Sequence, residues 1–130
     1  MAINSCNLNG ELLEELKKAL EQNTVLKELY LFANKIEPDG AHCISAIIQN
    51  KTKLSCIGLS NNRLGADGAI EIAQNGLDGK REVVKISIEN NVIGNLGLRA
   101  ISMALRDCHH LQEFYLYNNE IDDDPITEFT

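Results

Sequence analysis

Four asparagines, Asn34, Asn62, Asn91 and Asn119, stand 28, 29 and 28 residues apart, each within one recurring skeleton, L-x-x-L-x-L-x-x-N-x-L. The first full copy is Leu26, Leu29, Leu31, Asn34 and Ile36, and the second is Leu54, Ile57, Leu59, Asn62 and Leu64. Val83, Ile86, Ile88, Asn91 and Ile93 make the third, and Leu111, Phe114, Leu116, Asn119 and Ile121 the fourth. A period of this size, kept in register, restricts the chain to repeat architectures, because one such unit cannot bury its apolar face alone and must stack on its neighbours.

Within each unit the apolar residues first alternate and then take a helical spacing. Leu29-Tyr30-Leu31, Ile57-Gly58-Leu59, Ile86-Ser87-Ile88 and Phe114-Tyr115-Leu116 put their apolar members on one face of a strand. Helices should follow near Gly40-Ala41, Gly68-Ala69 and Gly97-Leu98, burying Ala41, Ile44 and Ile48; Ala69, Ile72 and Ala73; and Leu98, Ile101 and Leu105. Glu11 to Gln22 reads as an earlier amphipathic helix with Leu12, Leu13, Leu16, Ala19 and Leu20 on its apolar face. Gly76 stands where Ile48 and Leu105 lie in the neighbouring units, so the third helix is expected to end there, with the inserted residue in the loop that follows. Ile3, Cys6 and Leu8 match Leu31, Asn34 and Ile36 one unit later.

This skeleton resembles the leucine-rich repeat superfamily, and the alternation of 28 and 29 residues with a helical second half resembles its ribonuclease-inhibitor-like class. The resemblance implies an α/β fold, a right-handed solenoid or horseshoe with a parallel sheet on the concave side and helices on the convex side. It also implies that Cys6 substitutes acceptably at the asparagine site, and that the asparagine column is scaffold, its amides bonding the turn backbone. One domain is expected over residues 1–130: a partial first repeat at 1–25, repeats starting near 26, 54 and 83, and a truncated last repeat at 111–130. Asp124-Pro125 reads as the start of a further helix. Neither end carries the polar cap of a finished solenoid, which suggests a piece of a longer array or self-association through the ends.

Charge and composition exclude several function classes. A net charge of −7 disfavours nucleic acid, whose phosphates need clustered Lys and Arg. No apolar run reaches the length of a membrane span, and the start lacks a secretion signal. Cys6, Cys43, Cys56 and Cys108 fall at unrelated points of the repeat, so reduced thiols and a cytoplasmic protein are expected. Cys108-His109-His110 has no second ligand cluster at metal spacing, and His42-Cys43 belongs to a distant helix, so no metal site is expected. Asp122-Asp123-Asp124 lacks the glycine and spaced ligands of a calcium loop and reads as a solvated acidic rim. No nucleophile elbow, phosphate loop or dinucleotide fingerprint occurs, so neither catalysis nor a cofactor is expected.

What is left is a surface. The strand positions facing away from the core are Glu28, Tyr30 and Phe32; Cys56, Gly58 and Ser60; Lys85, Ser87 and Glu89; and Glu113, Tyr115 and Tyr117. The chain has three Phe and three Tyr, and four of these six lie in that set, where partner surfaces favour them. The expectation is a protein-protein interaction module with a shallow saddle between two aromatic walls. Tyr30, Phe32, Tyr115 and Tyr117 would anchor the partner, and Glu28, Lys85, Glu89 and Glu113 would set specificity. The family resemblance adds a second reading, a GTPase-activating or other signalling regulator, and the uncapped ends add a third, a self-associating structural array.

Overall fold

The alternating segments form four short strands, β1 (Glu28–Tyr30), β2 (Cys56–Gly58), β3 (Lys85–Ser87) and β4 (Glu113–Tyr115). They pair in chain order as one parallel sheet, with Glu28, Cys56, Lys85 and Glu113 in a row across it. The computed structural model describes residues 1–122; Asp123, Asp124 and the helix start expected at Pro125 lie outside them. The partial first repeat joins the sheet through a parallel bridge from Ala2 to Tyr30, with Ile3 N donating to Tyr30 O at 2.8 Å.

Each strand is followed by a turn and a helix on the outer side. The helices are α1 (Gly10–Leu20), α2 (Ala41–Asn50, entered through a 3-10 turn at Pro38–Gly40), α3 (Gly65–Ile72) and α4 (Gly94–Ala104). None of them is long and apolar enough to cross a membrane. Between helices and sheet lies one continuous core in which Leu29, Leu31, Ile57, Leu59, Ile86 and Ile88 are almost fully buried, as the period-2 alternation requires. Burial of each such side chain contributes about 1.5–3 kcal/mol. Phe114 in β4 and Leu116 just after it, at the edge of the described sheet, are only partly covered. The fold is the leucine-rich-repeat solenoid that the skeleton implies.

Three details differ from the sequence reading. In α1 the buried stripe is Leu13, Leu16 and Leu20, whereas Leu12 and Ala19 sit on flanks and face solvent. Helices α3 and α4 begin at Gly65 and Gly94, three residues ahead of the expected glycines. Those inner glycines serve packing: a Cβ on Gly97 would lie 3.0 Å from the Cβ of Ala69, so its bare backbone lets α4 approach α3. The third difference concerns the inserted residue. The α-helical part of α3 does stop early, but the chain continues as a π-helical turn, Ala73–Leu77, closed by Asp78 N on Ala73 O at 3.0 Å. The wider turn absorbs the insertion within the helix rather than in the following loop, and brings Leu77 into the core.

Two hydrogen-bond ladders tie the repeats together. On the rim after the strands the four asparagines are buried, and each amide links neighbouring units. Asn62 Oδ1 accepts from Asn34 N at 2.9 Å and Ile36 N at 3.1 Å, while its Nδ2 donates to Leu31 O and Leu59 O, both at 2.8 Å. Asn119 repeats this toward Asn91 N and Ile88 O. Cys6 keeps part of the pattern, its backbone N donating to Asn34 Oδ1 at 2.7 Å and its thiol to Asn4 O at 3.2 Å. On the opposite rim, the buried Lys51 donates to Leu20 O and to Asn23 O, and Lys80 donates to Gln49 O at 2.8 Å. Each lysine thereby caps the carbonyl end of the helix one repeat earlier, α1 for Lys51 and α2 for Lys80, where the helix dipole favours a cation. Cys108 takes the same place in the repeat that starts near residue 83, its thiol donating to Lys80 O at 2.9 Å.

Candidate partner-binding surface

The outward strand positions fall in register, so their side chains meet across the sheet in rows. In the row Tyr30, Gly58, Ser87, Tyr115, the second member decides how the first wall lies. A Cβ on Gly58 would come within 2.6 Å of both the Phe32 and Tyr30 rings, so these two aromatics lie over the bare backbone of β2. Their ring centroids are 5.4 Å apart and tilted by 31°. Tyr30 Oη donates to Glu28 Oε1 at 3.2 Å. Burial, reinforced by the charges of Cys56 and Glu28, pushes the Tyr30 phenol up to about 12.

The second wall repeats the arrangement without the cover. Tyr115 Oη donates to Glu113 Oε1 at 2.9 Å, and that carboxylate raises the phenol's pKa. Lys85 Nζ lies 5.9 Å from the centre of the Tyr115 ring, within cation-π reach. Tyr117, 70% exposed, stands free at the end of the row.

Between the walls runs an open groove of about 600 Å³, bounded by Phe32 on one side and Tyr115 and Tyr117 on the other. Ser60, Lys85, Ser87 and Glu89 also line it. Ser60 Oγ donates to Glu89 Oε2. The hydroxyl of Ser87 is buried in the groove floor and makes no hydrogen bond to any described residue. Of the eight residues singled out on sequence, Phe32, Lys85, Glu89, Tyr115 and Tyr117 line the groove. Tyr30 supports Phe32 from beside it, while Glu28 and Glu113, at the upstream ends of β1 and β4, lie outside the groove and hold the tyrosine hydroxyls.

The sequence reading missed one row. Asn61, Asn90 and Asn118 close one end of the groove, and Asn90 Nδ2 donates to Asn61 Oδ1 at 2.7 Å. All three have positive φ, as do Ser5 and Ala33 at the same repeat position. Asparagine tolerates that conformation better than most residues, so the Asn-Asn pairs at residues 61–62, 90–91 and 118–119 were the available signal.

The histidines lie on the convex helices and the rims, whereas Cys56 opens strand β2 on the sheet. His109 and His110 are exposed, and the four cysteines are free thiols, two of them, Cys43 and Cys108, buried.

Residues 22–45 and 50–73 match the family model described as Leucine Rich repeat. The chain is 32% identical over 102 residues to a Caenorhabditis briggsae protein named Protein phosphatase 1 regulatory subunit 37 homolog. It is 34% identical over 102 residues to the Caenorhabditis elegans protein of that name. Each alignment covers 78% of this chain, which spans only 11% of the length of these relatives. Among solved structures, Leiomodin-1 Actin-Binding Site 2 superposes with a TM-score of 0.75 at 20% identity, over 90% of this chain and 69% of that one. At that identity the likeness concerns the fold alone.

Proposed function

Since this chain belongs to the leucine-rich repeat family, we propose that it is a non-catalytic docking module that receives a folded protein partner on the concave face of its sheet. The observation that carries this reading is the groove of about 600 Å³ with aromatic walls and a floor of small side chains. Phe32, Tyr115 and Tyr117 supply apolar area at low conformational cost, with Tyr30 as the support beside Phe32. Lys85 and Glu89 give the groove one charge of each sign, and Glu28 and Glu113 add acid at its upstream margin, which selects partners by complementarity. Ser87 offers a buried hydroxyl whose hydrogen bond a partner group would complete. Leaving such a group unmatched costs about 1–3 kcal/mol.

The names of the relatives point to a regulatory, binding role, with a protein phosphatase as the first partner to try. The test immobilises protein phosphatase 1 and compares the chain with its Tyr115→Ala, Tyr117→Ala variant by surface plasmon resonance. The double variant should bind at least tenfold more weakly, about 1.4 kcal/mol, while losing under about 1 kcal/mol of folding stability. Equal affinity for the two chains sinks the concave face as the docking surface. No binding by the unmodified chain removes that phosphatase as the partner.

A further inference from the structure

We propose that Glu14, His42 and Cys43 form a zinc-binding site joining α1 to α2 on the convex side of the solenoid. His42 and Cys43 are neighbours near the start of α2, and sequence spacing gives them no third ligand. The third comes from the preceding repeat: Glu14 of α1, 29 residues away, brings Oε2 to 3.1 Å from Cys43 Sγ. His42 Nε2 lies 3.5 Å from the same sulfur, and the donor atoms of all three residues fall within 4.8 Å of one another.

Bonds of about 2.3 Å from zinc to sulfur and about 2.0 Å from zinc to nitrogen or oxygen set the edges of a tetrahedral site at roughly 3.5 Å. The sulfur-nitrogen separation already has that value, and the sulfur-oxygen separation is shorter by the margin that a thiol-carboxylate hydrogen bond accounts for. Cation binding replaces that hydrogen bond: the Cys43 thiol gives its proton to solvent and ligates as thiolate.

The surroundings orient the ligands. His42 Nδ1 is 2.8 Å from the carbonyl of Asp39, so it carries the ring proton and donates it there, leaving the Nε2 lone pair turned toward Cys43. The Glu14 carboxylate divides its oxygens, Oε1 taking Lys17 Nζ at 2.7 Å and Oε2 facing the thiol. An imidazole, a thiolate and a carboxylate are all ligand types that zinc takes in tetrahedral sites, with the fourth position left to water.

Cobalt(II), the spectroscopic substitute for zinc, tests the site on the whole chain. One equivalent should give a thiolate-to-cobalt charge-transfer band and the intense visible bands of four-coordinate cobalt, both abolished by zinc. His42→Ala, at an exposed position, should weaken zinc binding at least about tenfold while leaving the apo melting curve unchanged. Cys43→Ser should remove the charge-transfer band. His109→Ala with His110→Ala should change nothing. Zinc should raise the melting temperature of the unmodified chain and not that of His42→Ala. Absence of the thiolate band at stoichiometric cobalt overturns the site, as does unaltered zinc affinity in His42→Ala, or loss of binding in the His109, His110 variant.

Discussion

The two walls of the concave groove are written almost identically, Glu28-Leu29-Tyr30-Leu31-Phe32 and Glu113-Phe114-Tyr115-Leu116-Tyr117. Both fold the tyrosine hydroxyl back onto the glutamate two residues earlier. They nevertheless end in different states, because the neighbouring strands differ. Beside the first wall stands Gly58, and its rings lie down on β2; beside the second stand Ser87 and Lys85, and Tyr117 stays upright and 70% exposed. The first wall has therefore lost much of its water in the free protein and has less to gain on docking. The second retains apolar area to bury, worth about 25 cal/mol per Å² removed from water. Availability to a partner is decided across the sheet, by the residue in register, rather than by the motif itself.

The comparison is broken most forcefully by truncating the walls in turn. Tyr30→Ala with Phe32→Ala should cost about 1.5–3 kcal/mol of folding stability, somewhat below the range for fully buried aromatics, because these rings are half-buried. Tyr115→Ala with Tyr117→Ala should cost under about 1 kcal/mol. Urea denaturation of both variants measures the gap, and equal losses would erase the distinction between a packed wall and an open one.

A smaller effect is expected in alkali. With the Tyr30 phenol held at about 12 in the native chain against an ordinary value near 10, the folded state keeps its proton longer than the unfolded state. The stabilisation is complete below pH 10 and disappears as the pH climbs through about 12. Tyr30→Phe should flatten that decline. Gly58→Ala, which pushes a methyl against both rings, should bring the phenol back toward its usual value in a phenolate absorbance titration. A titration curve identical to that of the unmodified chain would mean that β2 does not bury the first wall.

The smallest expected difference lies in the floor. Ser60→Ala removes a hydroxyl that donates to Glu89 and should destabilise by about 1 kcal/mol. Ser87→Ala removes one without a partner among the described residues and should be neutral or slightly stabilising. Matching losses at the two serines would show that Ser87 is satisfied in solution.

Much of this was legible in the chain itself. The skeleton gives strand, register and core, since Leu31 and Ile57 have only one face to turn inward, and the asparagine column announces its own ladder. The aromatic walls follow from period 2. What could not be read depends on neighbours from other repeats. The starts of α3 and α4 are set by Gly65 N on Asn91 O at 2.9 Å and Gly94 N on Asn119 O at 2.8 Å, bonds between units rather than within one. The posture of Tyr30 depends on Gly58, 28 residues later, and the ligand cluster at Cys43 needs Glu14 from 29 residues earlier. Val92 shows the same limit: a β-branched residue held at φ +55° by the turn around it, against its own preference.

The widened turn at Ala73–Leu77 has a consequence for the other side of the molecule. Because the surplus residue is swallowed on the outer circumference, β2 and β3 still align residue for residue, as the shorter repeats do. Insertions of this kind are invisible to a visitor on the inner surface. A lineage of such arrays is free to drift in length at the helix ends while the spacing of its contact rows stays fixed, and an engineer lengthening a repeat should add the residue there.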